Sequence, residues 1–352
     1  MTDKQCVLMR HGIYYIKNKL VGPCCYNSSG KISQDYTIDP TFCKKCIAEE
    51  DRGIQSYRQG SNVKFGLTHA KNSILSLEIT PNMNCNLTCK ICSEHSSTSW
   101  AKLKNIKINQ TVNLKFDELK KLLETYDFSN LQEINFSGGE PFLNNNIVNY
   151  MDMVAMVVDL STVTLRFSTN GSIKLTDKIF NCLSKFRLVT ARFSLDDIEE
   201  GHEYHRYPAK WKEWQENWEF FLKTMPNNTI PSINRTVGIL NLNRLQLLNQ
   251  WHQSYLTTKL GDPIELLDHF AYGQTAIDKV PLTVKDFILL THGENSINWK
   301  YIKNSEIIDD YSETLSYISQ MDQYHTQSFK HYDAEMHRVL FTAPSSTRPA
   351  LL

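Results

Sequence analysis

The sequence has no excess of charge of either sign. Its 352 residues include 38 Lys and Arg and 38 Asp and Glu, so the formal net charge is zero. Nucleic-acid-binding domains usually carry a basic excess that contacts phosphates, so we do not expect a nucleic acid as a partner. The sequence also contains no internal repeat and no low-complexity segment, and its 41% apolar content is typical of a globular protein with a sizeable core.

A long hydrophobic run is also missing. The N-terminus, MTDKQCVLMRHGIYY, has no apolar stretch of signal-peptide length. The most apolar helical segment, residues 150–160, is too short to span a bilayer and is interrupted by Asp152 and Asp159. We therefore expect a cytoplasmic protein with no membrane partner.

Cysteine, in contrast, is abundant. In a reducing compartment, nine cysteines indicate metal binding or catalysis rather than disulfides. Cys182 lies in the amphipathic segment KIFNCLSKF and is expected to be a small buried apolar side chain. The other eight form two groups: Cys85, Cys89 and Cys92 in NMNCNLTCKICSEHSS, and Cys6, Cys24, Cys25, Cys43 and Cys46 near the N-terminus.

From residue 73 onward, apolar β-branched segments alternate with helical ones. Six such strand–helix units predict a parallel sheet covered by helices. Because a closed barrel needs eight units, we expect an α/β fold with a partial (β/α)6 TIM-like barrel, and a doubly wound sheet is the alternative. We expect an N-terminal cysteine-rich module (1–70), the barrel (71–272) and a helical C-terminal segment (273–352). The strands are predicted within 73–80, 133–136, 162–171, 188–197, 232–240 and 263–271.

Distinctive motifs lie at the ends of four consecutive predicted strands. The three-cysteine loop follows the first strand, SGGEP (137–141) the second, and STNG (168–171) ends the third. SLDD (194–197) lies at the end of the fourth. Because ligands of parallel α/β sheets bind at the carboxyl ends of the strands, these four motifs predict a single site.

The spacing of Cys85, Cys89 and Cys92 allows two kinds of metal site. A structural zinc ion takes four ligands and would need a distant fourth one. Three thiolates from one loop also suit a 4Fe–4S cluster whose fourth iron stays open for another ligand. The Gly-Gly-Glu motif favours the cluster, since glycines let a ligand approach the backbone and Glu140 can accept hydrogen bonds from an ammonium group.

The motifs C-x3-C-x2-C, GGEP, STNG and SLDD, in this order, resemble those of the radical S-adenosylmethionine (SAM) superfamily over about residues 73–270. The resemblance implies that Cys85, Cys89 and Cys92 bind a 4Fe–4S cluster whose open iron is chelated by SAM. The family often has an aromatic residue near the adenine where this chain has Ile91, so that apolar packing remains without ring stacking. The resemblance further assigns Gly138, Gly139 and Glu140 to the methionyl amine, Ser168 and Asn170 to the methionyl or ribose part, and Ser194 and Arg206, with Asp196 beside them, to the carboxylate.

Arg206 lies in EYHRYP. A guanidinium grips a carboxylate with two parallel hydrogen bonds, which suits this assignment, although a surface arginine is an equally good interpretation of the sequence. By resemblance, the protein is an enzyme in which the reduced cluster passes an electron to the sulfonium of SAM. The resulting 5′-deoxyadenosyl radical takes a hydrogen atom from a substrate, while the protein supplies geometry and excludes water. A reductase such as flavodoxin or ferredoxin is the implied electron donor.

The N-terminal cysteines predict a second metal site. Cys6, one of the adjacent pair Cys24 and Cys25, Cys43 and Cys46 supply four thiolates, which close either a zinc site or a 4Fe–4S site. The apolar segments IYYI and LVG around KNK predict a β-hairpin between them. The pattern GPCC…CKKC resembles the SPASM/twitch modules of radical SAM enzymes, which implies an auxiliary 4Fe–4S cluster. We prefer Cys24 to Cys25 because it directly follows Gly-Pro.

The substrate is predicted by resemblance alone. Enzymes with SPASM/twitch modules often act on peptides or proteins, so a peptide or protein side chain is our first choice. A small molecule of nucleotide or sugar type is the second. A non-catalytic scaffold for metal clusters is a further alternative, which the complete set of four motifs disfavours.

Overall fold

The computed structural model describes residues 5–341 except 52, 54, 68–71, 108–112 and 260–263. The predicted boundary between the N-terminal module and the barrel, at residues 70 and 71, lies outside the described residues. Within these ranges, no helix combines the length and hydropathy needed to cross a bilayer.

An eight-stranded sheet forms the centre of the fold. Its strands follow the order β2-β1-β3-β4-β5-β6-β7-β8, and every neighbouring pair is parallel except β1 and β2. The strands are β1 Gly12–Ile16, β2 Lys19–Gly22, β3 Ser76–Thr80, β4 Glu133–Phe136, β5 Thr164–Thr169, β6 Leu188–Ser194, β7 Thr229–Val237 and β8 Glu265–Phe270, and a separate parallel pair is formed by β9 Lys279–Val280 and β10 Glu306–Ile307.

The predicted partial barrel is confirmed. The six predicted strands are β3 to β8, and their order in the sheet follows their order in the chain. A doubly wound sheet reverses its strand order at a switch point, so that alternative is wrong. The sheet ends at β2 and β8 without pairing them, so the barrel is open.

Helices cover one face of this sheet. The first turn of α5 carries Asp117 and Glu118, which favour a helix N-terminus, and the helix buries Leu119, Leu122 and Leu123 on one side. The α-helices are α1 Leu8–His11, α2 Lys44–Asp51, α3 Tyr57–Phe65, α4 Thr98–Leu103, α5 Phe116–Thr125, α6 Ile147–Ala155, α7 Asp177–Leu183, α8 Glu200–His205, α9 Trp211–Thr224, α10 Leu245–Lys259, α11 Leu282–His292, α12 Ile297–Ile302, α13 Ser312–His325, α14 Phe329–Tyr332 and α15 Ala334–Phe341.

The two faces of the sheet differ in polarity. Side chains alternate along each strand, and residues that pair across parallel strands share a face. The helix-covered face is apolar and fully buried, whereas the opposite face, here called the inner face, is polar. Register-paired residues are Leu77, Ile134, Leu165 and Val189 on the helix-covered face, and Glu78, Asn135, Arg166 and Thr190 on the inner face.

Segments from both ends of the chain extend this core. The predicted N-terminal hairpin is present as β1 and β2, and β1 continues the sheet by pairing with β3, with Gly12 opposite Ser76. The predicted C-terminal helices are present as α11, α13 and α15, which share a second hydrophobic core with Tyr204 of α8. Cys182 is buried in α7, as predicted.

Candidate active site

The three-cysteine loop follows β3 and is held by backbone hydrogen bonds. The N–H of Thr88 donates to the carbonyl of Tyr207 (2.7 Å), and the N–H of Lys90 donates to the carbonyl of His205 (2.8 Å). The last residue of α8 and the segment that follows it therefore fix the path of the loop. The four groups involved are main-chain atoms, so the loop has a defined shape before any thiol binds a ligand.

The thiols of the loop lie in a largely apolar environment. Cys85, Cys89 and Cys92 pack with Leu87 and Ala209, and half-buried Ile91 packs against the same group. Burial raises the pKa of Cys85 to about 11, although its sulfur accepts hydrogen bonds from the backbone N–H of Leu87 and from Asn170. Burial also raises the pKa of Cys89 well above its usual value. A bound cation has to supply the charge that ionises these thiols.

Glu140 joins three of the predicted motifs. Its buried carboxylate accepts hydrogen bonds from Thr169 Oγ1 (2.9 Å), the N–H of Asn170 (2.6 Å) and the N–H of Phe142 (3.2 Å). Its own N–H donates to the carbonyl of Asn84, beside the first cysteine (2.7 Å). Burial outweighs these hydrogen bonds and raises the pKa of Glu140 to about 7. The carboxylate therefore ties the ends of β4 and β5 to the cysteine loop.

Gly138 and Gly139 lie against the cysteine loop. A Cβ on Gly138, whose φ is +151°, would lie 2.7 Å from the carbonyl oxygen of Asn82. A Cβ on Gly139 would lie 2.4 Å from the carbonyl oxygen of Asn84. The absence of side chains here therefore lets two backbone segments pack together, a role that the sequence did not suggest. Their contact with the methionyl amine stays a prediction.

Asn170 and Ser168 differ in their surroundings. The side chain of Asn170 donates to Asn86 Oδ1 (3.1 Å) and lies 3.9 Å from the sulfur of Cys85, and its oxygen accepts from the N–H of Ser172 (2.9 Å). Asn170 thus links the end of β5 to the cysteine loop. Ser168 is exposed on the inner face of β5, in register with Arg192.

Arg206 is buried, so its interpretation as a surface arginine is wrong. Its Nη2 lies 2.9 Å from Oδ2 of Asp196, and Oδ1 of Asp196 accepts a hydrogen bond from the N–H of Thr236 (2.8 Å). Burial disfavours the charged guanidinium, but the carboxylate of Asp196 outweighs this effect and raises the pKa of Arg206 above its ordinary value. The ion pair leaves Nε of Arg206 without a hydrogen-bond partner.

Ser194 ends β6 on the inner face. It is half-buried and pairs in register with Asn234 of β7, whose side-chain oxygen has no hydrogen-bond partner. A buried donor or acceptor without a partner costs free energy that a bound polar group can recover. Ser194, like Arg206, therefore borders unsatisfied polar atoms.

The N-terminal cysteines divide into a group of four and one separate thiol. Cys6, Cys43 and Cys46 are buried, and half-buried Cys24 is in the electrostatic field of Cys6 and Cys46. Burial raises the pKa of Cys24 to about 12, although its sulfur accepts hydrogen bonds from two backbone N–H groups. Cys25 is instead exposed and hydrogen-bonds to Glu78.

The sequence leaves zinc and a 4Fe–4S cluster open as occupants of the thiol groups. A zinc ion with bonds of about 2.3 Å to sulfur brings tetrahedral ligands within about 3.8 Å of one another. Across the described residues, no three or more His, Cys, Asp and Glu side chains form a group suited to one metal ion. A cubane with four irons separates its thiolates more widely. The assignment of both cysteine sets as metal ligands stays a prediction.

Lys90 is a feature of the site that we did not predict from the sequence. It lies between Cys89 and Ile91, and its fully buried Nζ lies 3.0 Å from His325 Nδ1 and 3.6 Å from Asp322 Oδ1. Burial lowers the pKa of Lys90 to about 8. Both partners belong to α13, some 235 residues away in the chain for His325, so no local sequence signal identifies this lysine.

Comparisons with known proteins agree with this arrangement. The sequence matches the radical SAM superfamily model over residues 79–248. A stretch of 91 residues is 29% identical to 7-carboxy-7-deazaguanine synthase of Clostridium acetobutylicum and covers 26% of this chain and 35% of that protein. The chain therefore matches about a third of the length of this relative.

The fold is distantly similar to solved structures. Native anSMEcpe with bound AdoMet aligns with a TM-score of 0.45 and 16% identity, over 77% of this chain and 68% of that chain. Streptococcus suis SuiB bound to the precursor peptide SuiA aligns with a TM-score of 0.35 and 13% identity, over 67% of this chain and 63% of that chain. The residues that match the radical SAM superfamily model, 79–248, hold the cysteine loop and the three strand-end motifs that converge on it.

Proposed function

We propose that the protein is a radical SAM enzyme that cleaves SAM reductively and abstracts a hydrogen atom from a substrate. The observation that carries this proposal is the convergence of the four motifs. Glu140 connects GGEP with STNG and the cysteine loop, Asn170 reaches Cys85, and Arg206 brings Asp196 of SLDD next to Cys89. A scaffold that only bound a cluster would need none of the last three motifs.

The residues of the site fit a cluster with bound SAM. Cys85, Cys89 and Cys92 would hold the 4Fe–4S cluster, which supplies the electron that splits SAM into methionine and a 5′-deoxyadenosyl radical. The unpartnered Nε of Arg206 suits a carboxylate, because an incoming acceptor satisfies a buried donor. Glu140 Oε2 accepts one hydrogen bond, from Asn170, and thus retains a lone pair for an ammonium group.

The remaining predicted SAM residues border the same space. Ser168 and Ser194 lie on the inner face near the strand ends, where they would contact polar parts of SAM. Ile91 would pack against the adenine. Gly138 and Gly139 would leave their backbone groups available to the methionyl amine. These contacts are testable by SAM binding to single variants.

We propose that a second 4Fe–4S cluster is bound by Cys6, Cys24, Cys43 and Cys46. Backbone N–H groups donate to the sulfurs of Cys6 and Cys24, as is expected for thiolate ligands. The four thiols would leave no open iron, so this cluster would not bind SAM. Metal analysis of anaerobically purified protein should give about eight irons per chain and no zinc. Four irons and one zinc would instead identify a zinc site.

For the substrate, we propose a peptide or protein side chain, in line with the resemblance of residues 1–70 to SPASM/twitch modules. A small molecule of nucleotide or sugar type is the second candidate. Unsatisfied polar atoms on the inner face and the local identity with a deazaguanine synthase favour it. A reductase such as flavodoxin or ferredoxin would deliver the electron.

The proposed activity can be tested without a known substrate. Anaerobic protein with dithionite and SAM should slowly release 5′-deoxyadenosine, measured by chromatography and mass spectrometry. Cys89→Ala should release none. The matched control is Cys182→Ala, which removes a thiol from the hydrophobic core and should retain release. If wild-type protein with a full complement of iron releases none, the proposal is wrong.

The choice of substrate needs a second experiment. Co-purified polypeptides and extracts of small metabolites would be incubated with the reduced enzyme and SAM. Loss of hydrogen mass or a new crosslink in a polypeptide supports the peptide substrate. The same change in a nucleotide or sugar fraction, with no modified polypeptide, supports the small molecule.

A further inference from the structure

Arg166 and Arg192 lie on neighbouring strands of the inner face but differ in their partners. Nη2 of Arg166 in β5 donates to Oε2 of Glu133 (2.6 Å), and Lys64 of α3 contacts the same carboxylate. Arg192 of β6, two residues after Thr190, makes no hydrogen bond and no ion pair with any residue that the structure describes. A guanidinium that is partly removed from water without a partner carries a free-energy cost, which a bound anion can recover.

The neighbours of Arg192 in the sheet carry no negative charge. Parallel strands lie about 4.8 Å apart, so the residues in register are the nearest ones across the sheet. These are Ser168 of β5 and Ser232 of β7. Glu265 of β8 is in register with Ser232, two strands away, and forms no ion pair with Arg192. The row of residues that contains Arg192 therefore leaves its charge unpaired.

A space accessible to water lies beside Arg192. Ser168 is exposed although β5 has a neighbouring strand on each side, so this part of the inner face is open. Arg192 is half-buried, and Nε is its one fully buried nitrogen. The two Nη atoms, which also lack a partner among the described residues, therefore remain accessible to a ligand.

Further polar groups without partners surround this space. Ser232 is 2% exposed, and its Oγ has no hydrogen-bond partner. Asn234, two residues later on the same face, pairs in register with Ser194, and its side-chain oxygen has no partner either. The side chain of Asn234 thus lies one strand step closer to the SAM-binding residues than Arg192. Unsatisfied groups of this kind at an open, polar space indicate that a polar ligand binds there.

The electrostatic surroundings of Arg192 favour an anion. Burial and the nearby charge of Arg166 lower the pKa of Arg192. Glu133, Tyr57 and Glu265 have the opposite effect but do not outweigh it. An anion bound at the guanidinium would stabilise its charged form. Because one guanidinium is unpaired, a carboxylate with a single negative charge fits this space better than a phosphate, which carries up to two.

We propose that Arg192 binds a carboxylate of the substrate inside the barrel through two parallel hydrogen bonds from its Nη atoms, with Asn234 as a further donor. This inference rests on the proposed function and narrows its substrate to one that carries a carboxylate. Arg192 lies two residues before Ser194, which corresponds to about 7 Å along the strand. SAM bound near Ser194 would thus have its reactive carbon next to substrate atoms that are a few bonds from the carboxylate. This group belongs either to an acidic residue of a peptide or to a small metabolite.

Binding of simple carboxylates tests this site without a known substrate. Holoenzyme with SAM, left unreduced so that no SAM is cleaved, would be titrated by calorimetry with acetyl-Gly-Glu-Gly-amide and with butyrate. The comparison probes are acetyl-Gly-Gln-Gly-amide and inorganic phosphate. At least one carboxylate should bind about tenfold more tightly than both comparison probes, because it accepts two charge-assisted hydrogen bonds. Tighter binding of the glutamate peptide than of butyrate identifies a peptide as the source, and the reverse identifies a small molecule.

Variants locate the binding at Arg192. Arg192→Gln should weaken carboxylate binding about tenfold or more, and Arg192→Lys should weaken it less, since lysine keeps the charge but not the planar fork. The matched control is Arg187→Gln, which should keep the wild-type affinity. Arg187 lies before β6 and donates to the carbonyl of Thr162 (3.2 Å) and to Thr164 Oγ1 (2.6 Å). The inference is wrong if neither carboxylate binds with the stated preference, or if Arg192→Gln binds it as tightly as the wild type.

Stability provides a readout that needs no ligand. Arg192→Met removes an unpaired charge, so the urea concentration at the midpoint of unfolding should stay the same or rise. Arg166→Met leaves Glu133 without one of its cations and should lower the midpoint. A lower midpoint in Arg192→Met would show that this guanidinium supports the fold and would overturn the inference. None of these measurements requires SAM cleavage. Absence of 5′-deoxyadenosine from the wild type therefore overturns the proposed function, while carboxylate binding that is lost in Arg192→Gln would still identify the carboxylate site.

Discussion

The two cysteine groups differ in what surrounds the thiols. Cys85, Cys89 and Cys92 share their site with a buried guanidinium, a buried carboxylate and polar atoms that lack partners. Cys6, Cys24 and Cys43 of the N-terminal group pack into an apolar cluster that includes Val7, Leu8 and Phe65. Three thiols beside an unpartnered buried donor, Nε of Arg206, favour an open site that takes a ligand, whereas four thiols favour a closed site. The different surroundings therefore favour different roles for the two groups of thiols.

The two groups also differ in how the chain holds them. The N-terminal thiols and the helix that packs on them all come from residues before 68, and Asn27 Nδ2 lies 3.8 Å from the sulfur of Cys43. The cysteine loop is instead held by β4, β5, the segment after α8, and α13. The cysteine loop is thus held by distant parts of the fold, whereas the N-terminal thiols are held locally.

The strongest test of the comparison removes one thiol from each group. Cys89→Ala should lose about four irons and all release of 5′-deoxyadenosine, because the open cluster is lost. Cys43→Ala should also lose about four irons but should still cleave SAM, because its cluster has no role in binding SAM. Iron analysis and the 5′-deoxyadenosine assay check both. If Cys43→Ala abolishes SAM cleavage while the other cluster remains, the two sites are not independent.

The second prediction concerns the buried ion pair of the open site. Arg206→Ala leaves Asp196 buried without its cation, which should lower the free energy of unfolding by about 3–5 kcal/mol. Arg206→Met combined with Asp196→Asn removes both charges and should recover most of this loss. Chemical denaturation of the metal-free chain measures the stability difference.

Measuring the affinity for SAM tests the functional role of Arg206 separately from its effect on stability. Arg206→Lys keeps the charge but cannot make two parallel hydrogen bonds, so the dissociation constant of SAM should rise on the order of 10-fold or more in the holoenzyme. Unchanged SAM affinity in this variant would contradict the assignment of Arg206 to the carboxylate.

The third prediction concerns Glu78, a residue on the inner face of β3. Burial raises its pKa from 4.5 to about 7 in the folded state. The native state therefore holds an extra proton between these values, and stability falls as pH rises from about 4.5 to about 7. Relative to wild type, Glu78→Gln should gain up to about 3 kcal/mol of stability between pH 4 and pH 8.

Denaturation of both proteins at several pH values checks this expectation. Glutamine can still accept the hydrogen bond from Cys25, so the main change is the loss of the ionisable group. Glu140 has a similarly raised pKa in both proteins, so its effect cancels in the difference. The prediction is wrong if the difference in free energy of unfolding between the two proteins does not depend on pH. The inner face would then be hydrated enough to keep Glu78 ionised at low cost.

The sequence predicted the parts of the site that lie at strand ends. Strand periodicity located β3 to β8, and the position of each motif after its strand placed Cys85, Glu140 and Asn170 at the same edge of the sheet. These features follow from local pattern and from the geometry of parallel sheets. The inference needed no knowledge of distant contacts.

The sequence did not predict what distant segments contribute. Gly139 was interpreted as open to a ligand, but the backbone of the cysteine loop occupies the space beside it. The contact between Cys25 and Glu78 joins residues that are 53 positions apart, and Lys90 meets His325 across 235 positions. Burial and partners of this kind depend on tertiary packing, which periodicity does not encode.

The last prediction concerns Lys90, which belongs to the cysteine loop and whose side chain contacts α13. Its Nζ lies 4.1 Å from the centre of the Tyr204 ring, and its carbonyl accepts a hydrogen bond from Tyr317 of α13 (2.6 Å). Lys90→Met retains the volume and removes a positive charge close to the cysteine loop. Because a nearby positive charge favours the reduced cluster, this variant should lower the reduction potential of the SAM-binding cluster.

Lys90→Arg is the matched control, since it keeps the charge. Redox titration followed by electron paramagnetic resonance measures the potential, and the SAM-binding cluster is identified by the change in its spectrum on adding SAM. The auxiliary cluster should keep its potential in Lys90→Met, because Lys90 packs against α13 and α8 and does not contact the N-terminal cysteines. Equal shifts of both potentials would indicate a general loss of structure. A shift confined to the SAM-binding cluster would show that α13 acts on the open site through one buried charge.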